Sequence, residues 1–230
     1  MSQNKIQFLN EKNEILEGFL ELPDHQEAHN FVLFAHCFTC SKDLTAISVI
    51  SHALTKEGLG VLRFDFTGLG ESQGEFEDSN FSTNISDLLC AGNFLIQNYK
   101  APTVIIGHSL GGAAVIFAAS KLASIKSVVT IGAPANPLHV KHLIKDEENE
   151  IMEEGEAEVN IAGRNFTIKK QFLDDLLNYS LLDIIPNLRK SLLIFHSPQD
   201  EIVGIENAEK IFKAAFHPKS FISLDGAPII

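Results

Sequence analysis

This chain of 230 residues has only three cysteines, fewer basic than acidic residues and no long apolar run. Three cysteines give no even disulfide framework of the kind that small secreted proteins use. No apolar run approaches the ~18 residues of a membrane span, and the first residues lack the apolar stretch of a signal peptide. The formal net charge of −12 argues against binding to nucleic acid or to an anionic membrane. We therefore expect a cytoplasmic protein with neither partner.

What the chain does have is a regular alternation of strand and helix patterns. An N-terminal β-hairpin is expected over residues 5–9 and 14–22. Strands are then predicted over 30–35, 60–65, 103–106, 126–131, 191–195 and 220–224, and helices over 43–57, 81–99, 110–123 and 204–215. Asp43 is the expected N-cap of the first helix. This alternation predicts an α/β protein with a mostly parallel sheet and helices on both faces.

The rhythm breaks once, after Pro134 and Pro137. We interpret residues 1–230 as one domain with a small cap inserted at about 138–180, formed by a hairpin with flanking helices. Eight carboxylates lie between Asp146 and Glu158. A solvated helix explains this acidic run better than a metal site does, so no metal is expected.

The main chemical signal is a G-x-S-x-G sequence over Gly107–Gly111, directly behind the apolar run 103–106. Placed between a strand and a helix, it predicts a sharp turn that exposes the Ser109 hydroxyl above the sheet. Gly107 and Gly111 remove side chains that would clash in the turn, and His108 lies within it. Ser109 is therefore the candidate nucleophile, in preference to an ordinary glycine-rich turn.

An acidic partner follows at the expected place in the chain. Asp200 lies just past the strand 191–195, which matches the order of nucleophile and then acid. Its role would be to orient a histidine and to stabilise the imidazolium. A turn or N-cap aspartate is the plainer alternative, and Glu201 is the neighbouring candidate.

The segment His36–Cys40 ends the strand 30–35 and is the candidate oxyanion loop. The backbone N–H groups of Phe38 and Leu110 are the expected donors, and His36 would hold the loop in shape by hydrogen bonding. Cys37 and Cys40 form a C-x-x-C, which can be a redox pair. We favour two small side chains packed under the loop.

A glycine-rich turn at Gly68–Ser72 also follows a strand. It lacks the third glycine of the dinucleotide-binding sequence, because position 73 is Gln73. No cofactor is expected.

Together these segments resemble α/β-hydrolases over nearly the whole chain. More narrowly, they resemble the hydrolase half of bifunctional proteins that join an α/β-hydrolase to an OsmC-type domain. The segments that carry the resemblance are 34–43, 63–72, 107–112, 196–204, 217–221 and 223–227. The resemblance implies Ser109 as nucleophile, Asp200 as acid, Phe38 and Leu110 as oxyanion donors, and a small-molecule acyl substrate.

The catalytic histidine is missing from its expected place. In this topology it should follow the strand 220–224, where the family pattern has an Asp-His pair and this chain has Pro228-Ile229. The closing helix and an OsmC-type domain are absent too, so we expect a truncated, frame-shifted or degraded relative. His217 lies at the wrong end of a strand, and the spacing does not single out His139 or His142.

We therefore predict a serine hydrolase that acts on ester, thioester or amide bonds with impaired turnover. An inactive protein that binds an acyl ligand or a protein partner is the alternative. A thiol redox protein that uses Cys37 and Cys40 is a weaker one. Apolar sheet surface left by a missing helix would favour a homo-oligomer or aggregation.

Overall fold

A computed structural model describes residues 2–24 and 26–226 of the chain. Its centre is an eight-stranded sheet with the strand order β1-β2-β4-β3-β5-β6-β9-β10. The strands are β1 Ser2–Leu9, β2 Ile15–Leu22, β3 Asn30–Ala35, β4 Leu59–Phe64, β5 Val104–His108, β6 Ser127–Ile131, β9 Ser191–His196 and β10 Lys219–Ser223. β1 pairs with β2 and β2 with β4 in antiparallel register, and all the other pairs are parallel. The predicted hairpin and mostly parallel sheet are confirmed.

Helices cover the two faces of the sheet because the central strands alternate their apolar side chains between two clusters. Val32 and Phe34 of β3 join Ile47 of α1 in the smaller cluster, whereas Leu33 and Ala35 face the larger one. Helices α2, α3 and α7 contribute to the larger cluster. The helices of the main fold are α1 Thr45–Lys56, α2 Phe81–Asn98, α3 Leu110–Lys121 and α7 Glu206–Ala214.

One helix start differs from the prediction. Asp43 does not cap α1: Leu44 is the N-cap, and it provides no side-chain hydrogen bond. The Asp43 carboxylate instead lies 3.5 Å from Lys42 Nζ and 3.7 Å from the Arg63 guanidinium. A local capping preference is overridden here by two neighbouring cations.

The segment between β6 and β9 contains the hairpin and the flanking helices that the sequence predicts. Its elements are a 3-10 helix Pro137–Ile144, α4 Glu148–Glu154, β7 Glu156–Ile161, β8 Arg164–Lys169, α5 Lys170–Leu176 and α6 Leu181–Ile184, followed by a 3-10 turn Ile185–Asn187. β7 and β8 form a separate antiparallel sheet. Lys169 joins this hairpin to the 3-10 turn Phe76–Asp78 by an ion pair of 2.6 Å with Asp78.

The described residues form neither a membrane-spanning helix nor a cluster of metal-binding side chains. Among residues 2–24 and 26–226, no helix is both long enough and apolar enough to cross a lipid bilayer. The same residues, the acidic run 146–158 among them, contain no group of three or more histidine, cysteine, aspartate or glutamate side chains placed to hold a metal ion.

Candidate active site

Ser109 occupies the turn between β5 and α3. Its backbone has φ 54° and ψ −125°, a conformation that is rare for any residue with a side chain. The Ser109 N–H donates to Ile131 O at 2.9 Å, and the Ser109 carbonyl accepts from the Gly112 N–H at 2.9 Å. The turn is thus fixed on one side by β6 and on the other by the first turn of α3. A strained conformation held by surrounding contacts is typical of a functional position.

The tightness of the turn explains both flanking glycines. A Cβ atom at Gly107 would overlap the Gly111 carbonyl, and one at Gly111 would overlap the His36 carbonyl. These close approaches bring the start of α3 against the end of β3. They place Leu110 beside the loop that carries Phe38, as the sequence predicts for a shared anion site.

The backbone N–H groups of Phe38 and Leu110 are both available. Within the described residues, neither group donates a hydrogen bond. Phe38 and Leu110 both line two small cavities, and Ser109 lines one of them. Two unpaired N–H donors beside the half-buried Ser109 match the requirement for stabilising an oxyanion.

His36 holds the loop, as predicted. It is 1% exposed, its Nε2 accepts from the Phe66 N–H at 3.3 Å, and its Nδ1–H donates to the Cys37 carbonyl at 2.8 Å. Burial lowers the pKa of His36, with a smaller opposing contribution from the hydrogen bond to Cys37. Because both ring nitrogens are occupied, His36 does not serve as a base.

The Cys37 and Cys40 side chains are bonded to each other. Their sulfur atoms form a disulfide across a Cα–Cα distance of 5.3 Å, and the Cys40 N–H donates to the Cys37 carbonyl at 3.2 Å. The favoured interpretation of two separate small side chains is therefore wrong. The C-x-x-C spacing forms a turn that brings the two sulfurs within bonding distance.

Asp200 follows β9 and lies at the same edge of the sheet as Ser109, with the end of β6 between them. Its Oδ1 accepts from the N–H groups of Ile202 at 3.0 Å and Val203 at 2.8 Å. It is not a helix N-cap, because α7 begins at Glu206 with Ile205 as the cap. Glu201 is exposed. Oδ1 is thus held by two backbone N–H groups, and Oδ2 accepts from neither of them.

Four of the described histidines lie near Ser109 or Asp200. Two of them are poor candidates for the base: His196 is hydrogen-bonded to another group, and burial keeps His108 neutral. His196 Nε2 lies 3.7 Å from Asp200 Oδ2 but hydrogen-bonds to the Val203 carbonyl at 2.6 Å. Burial lowers the pKa of His108 to about 4, with the Asp200 charge opposing the shift. His108 Nδ1 is buried without a partner.

The other two histidines, His139 and His142, lie on the 3-10 helix after β6 and line a cavity with Ser109. His139 Nε2–H donates to the Ile202 carbonyl at 2.6 Å, and His142 Nδ1 is bonded to the His139 carbonyl. Sequence spacing gave no reason to bring them to Ser109, since they reach it only through the packing of this helix. Within the described residues, the Ser109 hydroxyl has no hydrogen-bond partner.

The cavity beside Ser109 is small. Its volume is about 20 Å³, and the second cavity that Phe38 and Leu110 line is about 10 Å³. Each has room for about one water molecule. The Phe38 ring stacks on Phe172 at 5.2 Å and meets Phe76 at 5.6 Å, so side chains of α5 and the 3-10 turn Phe76–Asp78 close the second cavity.

Two further contacts of the oxyanion loop could not be predicted from the sequence. The Arg164 guanidinium of β8 donates to the Thr39 carbonyl at 2.9 Å. The Lys42 N–H donates to Asp65 Oδ1 at 2.6 Å, and Lys42 Nζ donates to Asp65 Oδ2 at 2.7 Å. Both join positions that are distant in the chain, so no local pattern signals them.

Comparison with known families gives one match. The model of the family described as serine aminopeptidase, S33, matches residues 26–161, which include β3 to β7 and the turn at Ser109. A Mycoplasma pneumoniae protein named as an esterase/lipase is 29% identical over 126 residues, which is 54% of this chain and 45% of that protein. The match thus spans less than half of that relative.

Solved structures cover more of the chain. The esterase domain of a Rhodothermus marinus protein is 47% identical, has a TM-score of 0.79, and is matched over 99% of this chain and 89% of its own. Est1E from Butyrivibrio proteoclasticus, solved with ferulic acid, is 22% identical with a TM-score of 0.78, over 96% of this chain and 89% of its own. The second likeness shows the fold alone. The α/β-hydrolase fold expected from the sequence is confirmed.

Proposed function

This chain belongs to the serine aminopeptidase S33 family, and from that premise we propose that it is an esterase-type hydrolase whose nucleophile is Ser109. The single observation that supports this role best is the Ser109 backbone, with φ 54° and ψ −125° at the tip of a strand–turn–helix. That conformation costs a serine about 1–3 kcal/mol of backbone strain, and contacts on both sides of the turn maintain it here. It lifts the hydroxyl above the edge of the sheet where Asp200 also lies.

The proposed reaction is acyl transfer in two steps. Ser109 Oγ attacks the carbonyl carbon of an ester, thioester or amide, and the carbonyl oxygen becomes an oxyanion held by the N–H groups of Phe38 and Leu110. The bond to the leaving group breaks, the leaving alcohol, thiol or amine takes up the proton that the Ser109 hydroxyl gives up, and an acyl-enzyme remains. Water then attacks the acyl-enzyme and releases the acid. The available N–H groups of Phe38 and Leu110 support this part of the proposal.

Asp200 is the proposed acid of the site. Its Oδ1 is fixed by two backbone N–H groups, which leaves Oδ2 to orient an imidazole. Among residues 2–24 and 26–226, no imidazole bonds to both Ser109 Oγ and Asp200. We therefore propose that the 230-residue chain turns over slowly, because a triad without its base retains only about 10³–10⁴-fold catalysis over water.

The segment over Ser109 is the proposed cap, at about 138–180. His139, Val140 and Leu143 of its 3-10 helix line the cavity at Ser109, and Phe172 of α5 lines the second cavity beside Phe38. From the sequence features alone, we also propose a cytoplasmic enzyme that is similar to the hydrolase half of α/β-hydrolase/OsmC-type proteins.

The test is covalent labelling of Ser109 by a fluorophosphonate, followed by peptide mass spectrometry, together with hydrolysis of p-nitrophenyl acetate. Ser109→Ala is expected to lose both signals. Ser120→Ala is the matched control on the same helix, because its hydroxyl bonds only to the Phe117 carbonyl, one turn away. Equal labelling of Ser109→Ala and the unaltered chain would rule out this nucleophile.

The same measurement separates slow turnover from the alternative of an inactive acyl-binding protein. The Ser109 hydroxyl has no hydrogen-bond partner within the described residues, which is the observation that favours an inactive protein. Complete absence of labelling at Ser109 would support that alternative. Slow labelling at Ser109 supports the impaired hydrolase. Labelling as fast as that of intact serine hydrolases contradicts the impairment and requires a base that the described contacts do not show.

A further inference from the structure

We propose that the Cys37–Cys40 disulfide is a reversible thiol–disulfide site that sets the position of the Phe38 N–H, and so switches the oxyanion hole on and off. The inference rests on the proposed function of Ser109. It concerns a covalent modification that the hydrolase reaction itself does not use.

The disulfide closes the turn that carries the oxyanion donor. Phe38 and Thr39 are the two residues between the bonded cysteines, and the Cys40 N–H closes the same turn on the Cys37 carbonyl at 3.2 Å. The Phe38 N–H makes no hydrogen bond within the described residues. Its direction is therefore fixed by the conformation of the turn and not by a partner of its own.

That conformation is one the chain avoids unless it is constrained. Thr39 has φ 61°, in the left-handed region that a β-branched residue rarely enters. Such a residue costs about 1–3 kcal/mol and persists only where its surroundings over-determine it. The constraints here are the disulfide, the Arg164 hydrogen bond to the Thr39 carbonyl and the stacking of Phe38 on Phe172. Breaking the disulfide removes the covalent constraint and lets Thr39 relax.

The two bonded cysteines differ in their exposure to solvent. Cys37 is 8% exposed, whereas Cys40 is half-buried at the outer end of the turn. A dithiol reductant can therefore attack Cys40 Sγ as a thiolate, which breaks the S–S bond and releases Cys37 as a thiolate that takes up a proton. The second thiol of the reductant then resolves the mixed disulfide. Two electrons pass from the dithiol to the protein, which gains two thiols, and the reductant leaves as a disulfide.

The expected cytoplasmic location gives the switch its direction. Thiols are kept reduced in that compartment, and disulfides that form there are mostly transient or redox-sensing. The reduced turn would then be the resting form with a loosened oxyanion hole. Oxidation by a disulfide or peroxide oxidant would form the turn described above and raise activity.

The experiment compares the oxidised chain with the chain reduced by dithiothreitol. Alkylation by iodoacetamide under denaturing conditions should modify Cys90 alone in the first form and all three cysteines in the second. Fluorophosphonate labelling of Ser109 should slow about tenfold on reduction, since complete loss of one oxyanion donor costs about 10²–10³. Hydrogen exchange over residues 37–43 should become faster.

Variants sharpen the result. A Cys37→Ser/Cys40→Ser double variant should label at the reduced rate with or without dithiothreitol, and Cys90→Ser should respond as the unaltered chain does. Equal labelling rates of the two redox forms, or failure of the disulfide to form, would overturn the switch while leaving Ser109 as nucleophile. No labelling in either form, with exchange that still quickens on reduction, would overturn the proposed function and leave the redox site standing.

Discussion

The Nε2–H of His139 donates to the carbonyl oxygen of Ile202 across 2.6 Å, and the N–H of Ile202 donates in turn to Asp200 Oδ1 at 3.0 Å. The backbone of Ile202 thus connects the 3-10 helix Pro137–Ile144 to the loop that carries Asp200, the proposed acid. His139 is a positioning residue in this arrangement. It acts on the carboxylate through the backbone of Ile202.

Replacing His139 should therefore affect both stability and reactivity. In His139→Ala, the lost hydrogen bond should lower the free energy of unfolding by about 1 kcal/mol. Fluorophosphonate labelling of Ser109 should slow severalfold, because the loop of Asp200 loses a contact. Urea denaturation and labelling rates measure the two effects. Lys145→Ala, an exposed residue just past the same helix, is the control, and an equal loss in that variant would contradict a specific role for His139.

The close approach of α3 to β3 gives a second prediction. In Gly111→Ala, the new Cβ would overlap the His36 carbonyl, a backbone atom that cannot move aside. We expect a loss of about 3 kcal/mol or more, in the range of severe core overpacking. Gly163→Ala is the matched control, since its Cβ meets nothing within 4 Å and carries only the cost of φ +81°, about 1–2 kcal/mol. Thermal unfolding of the two variants should separate them, and equal losses would contradict the close approach.

The buried ion pair under the oxyanion loop gives a third. Lys42 Nζ lies 2.7 Å from Asp65 Oδ2, and both side chains are 0% exposed. Lys42→Met should therefore lose about 3–5 kcal/mol, because it leaves a buried carboxylate without its cation. In Lys213→Met, the exposed partner Glu209 stays hydrated, and the change should be within about 0.5 kcal/mol. Denaturant midpoints give both values. A similar effect of the two substitutions would show that Asp65 finds another partner.

The sequence predicted the parts of this site that depend on local patterns. An apolar run followed by glycines marks the turn at Ser109, because only glycine fits the close approaches at Gly107 and Gly111. Asp200 was found by its place after a strand. The sheet topology then brings Ser109 and Asp200 to the same end of the sheet, since the carboxyl ends of parallel strands lie together.

The parts that sequence reasoning missed depend on contacts that the local sequence pattern does not specify. Asp43 has the local features of a helix cap, but it turns toward Lys42 and Arg63. His139 meets Ile202 across 63 positions in the chain, and Arg164 meets Thr39 across 125. The C-x-x-C spacing permits the disulfide, but it permits two separately packed small side chains equally well. For His139 and Arg164, the partner is too distant in the chain for a local pattern to signal it.

The last prediction concerns pH. Burial raises the pKa of Asp87 to about 6, against the opposing hydrogen bonds from Thr67, and the side chain lies in the core with the residue 1% exposed. An unfolded aspartate has a pKa of about 3.9. Between these values the folded state keeps a proton that the unfolded state releases. The contribution of Asp87 to stability is therefore fully present below about pH 4 and is lost as the pH rises through 6.

Asp87→Asn removes this titration and keeps an oxygen that can accept from the Thr67 N–H, now at 2.8 Å from the carboxylate. A pKa difference of about two units corresponds to roughly 3 kcal/mol. The unaltered chain should therefore lose up to about 3 kcal/mol relative to Asp87→Asn between pH 4 and 7.5, as measured by urea denaturation at several pH values. All other titrating groups cancel in this comparison. Parallel pH profiles of the two proteins would show that the Asp87 carboxyl ionises normally in the folded state.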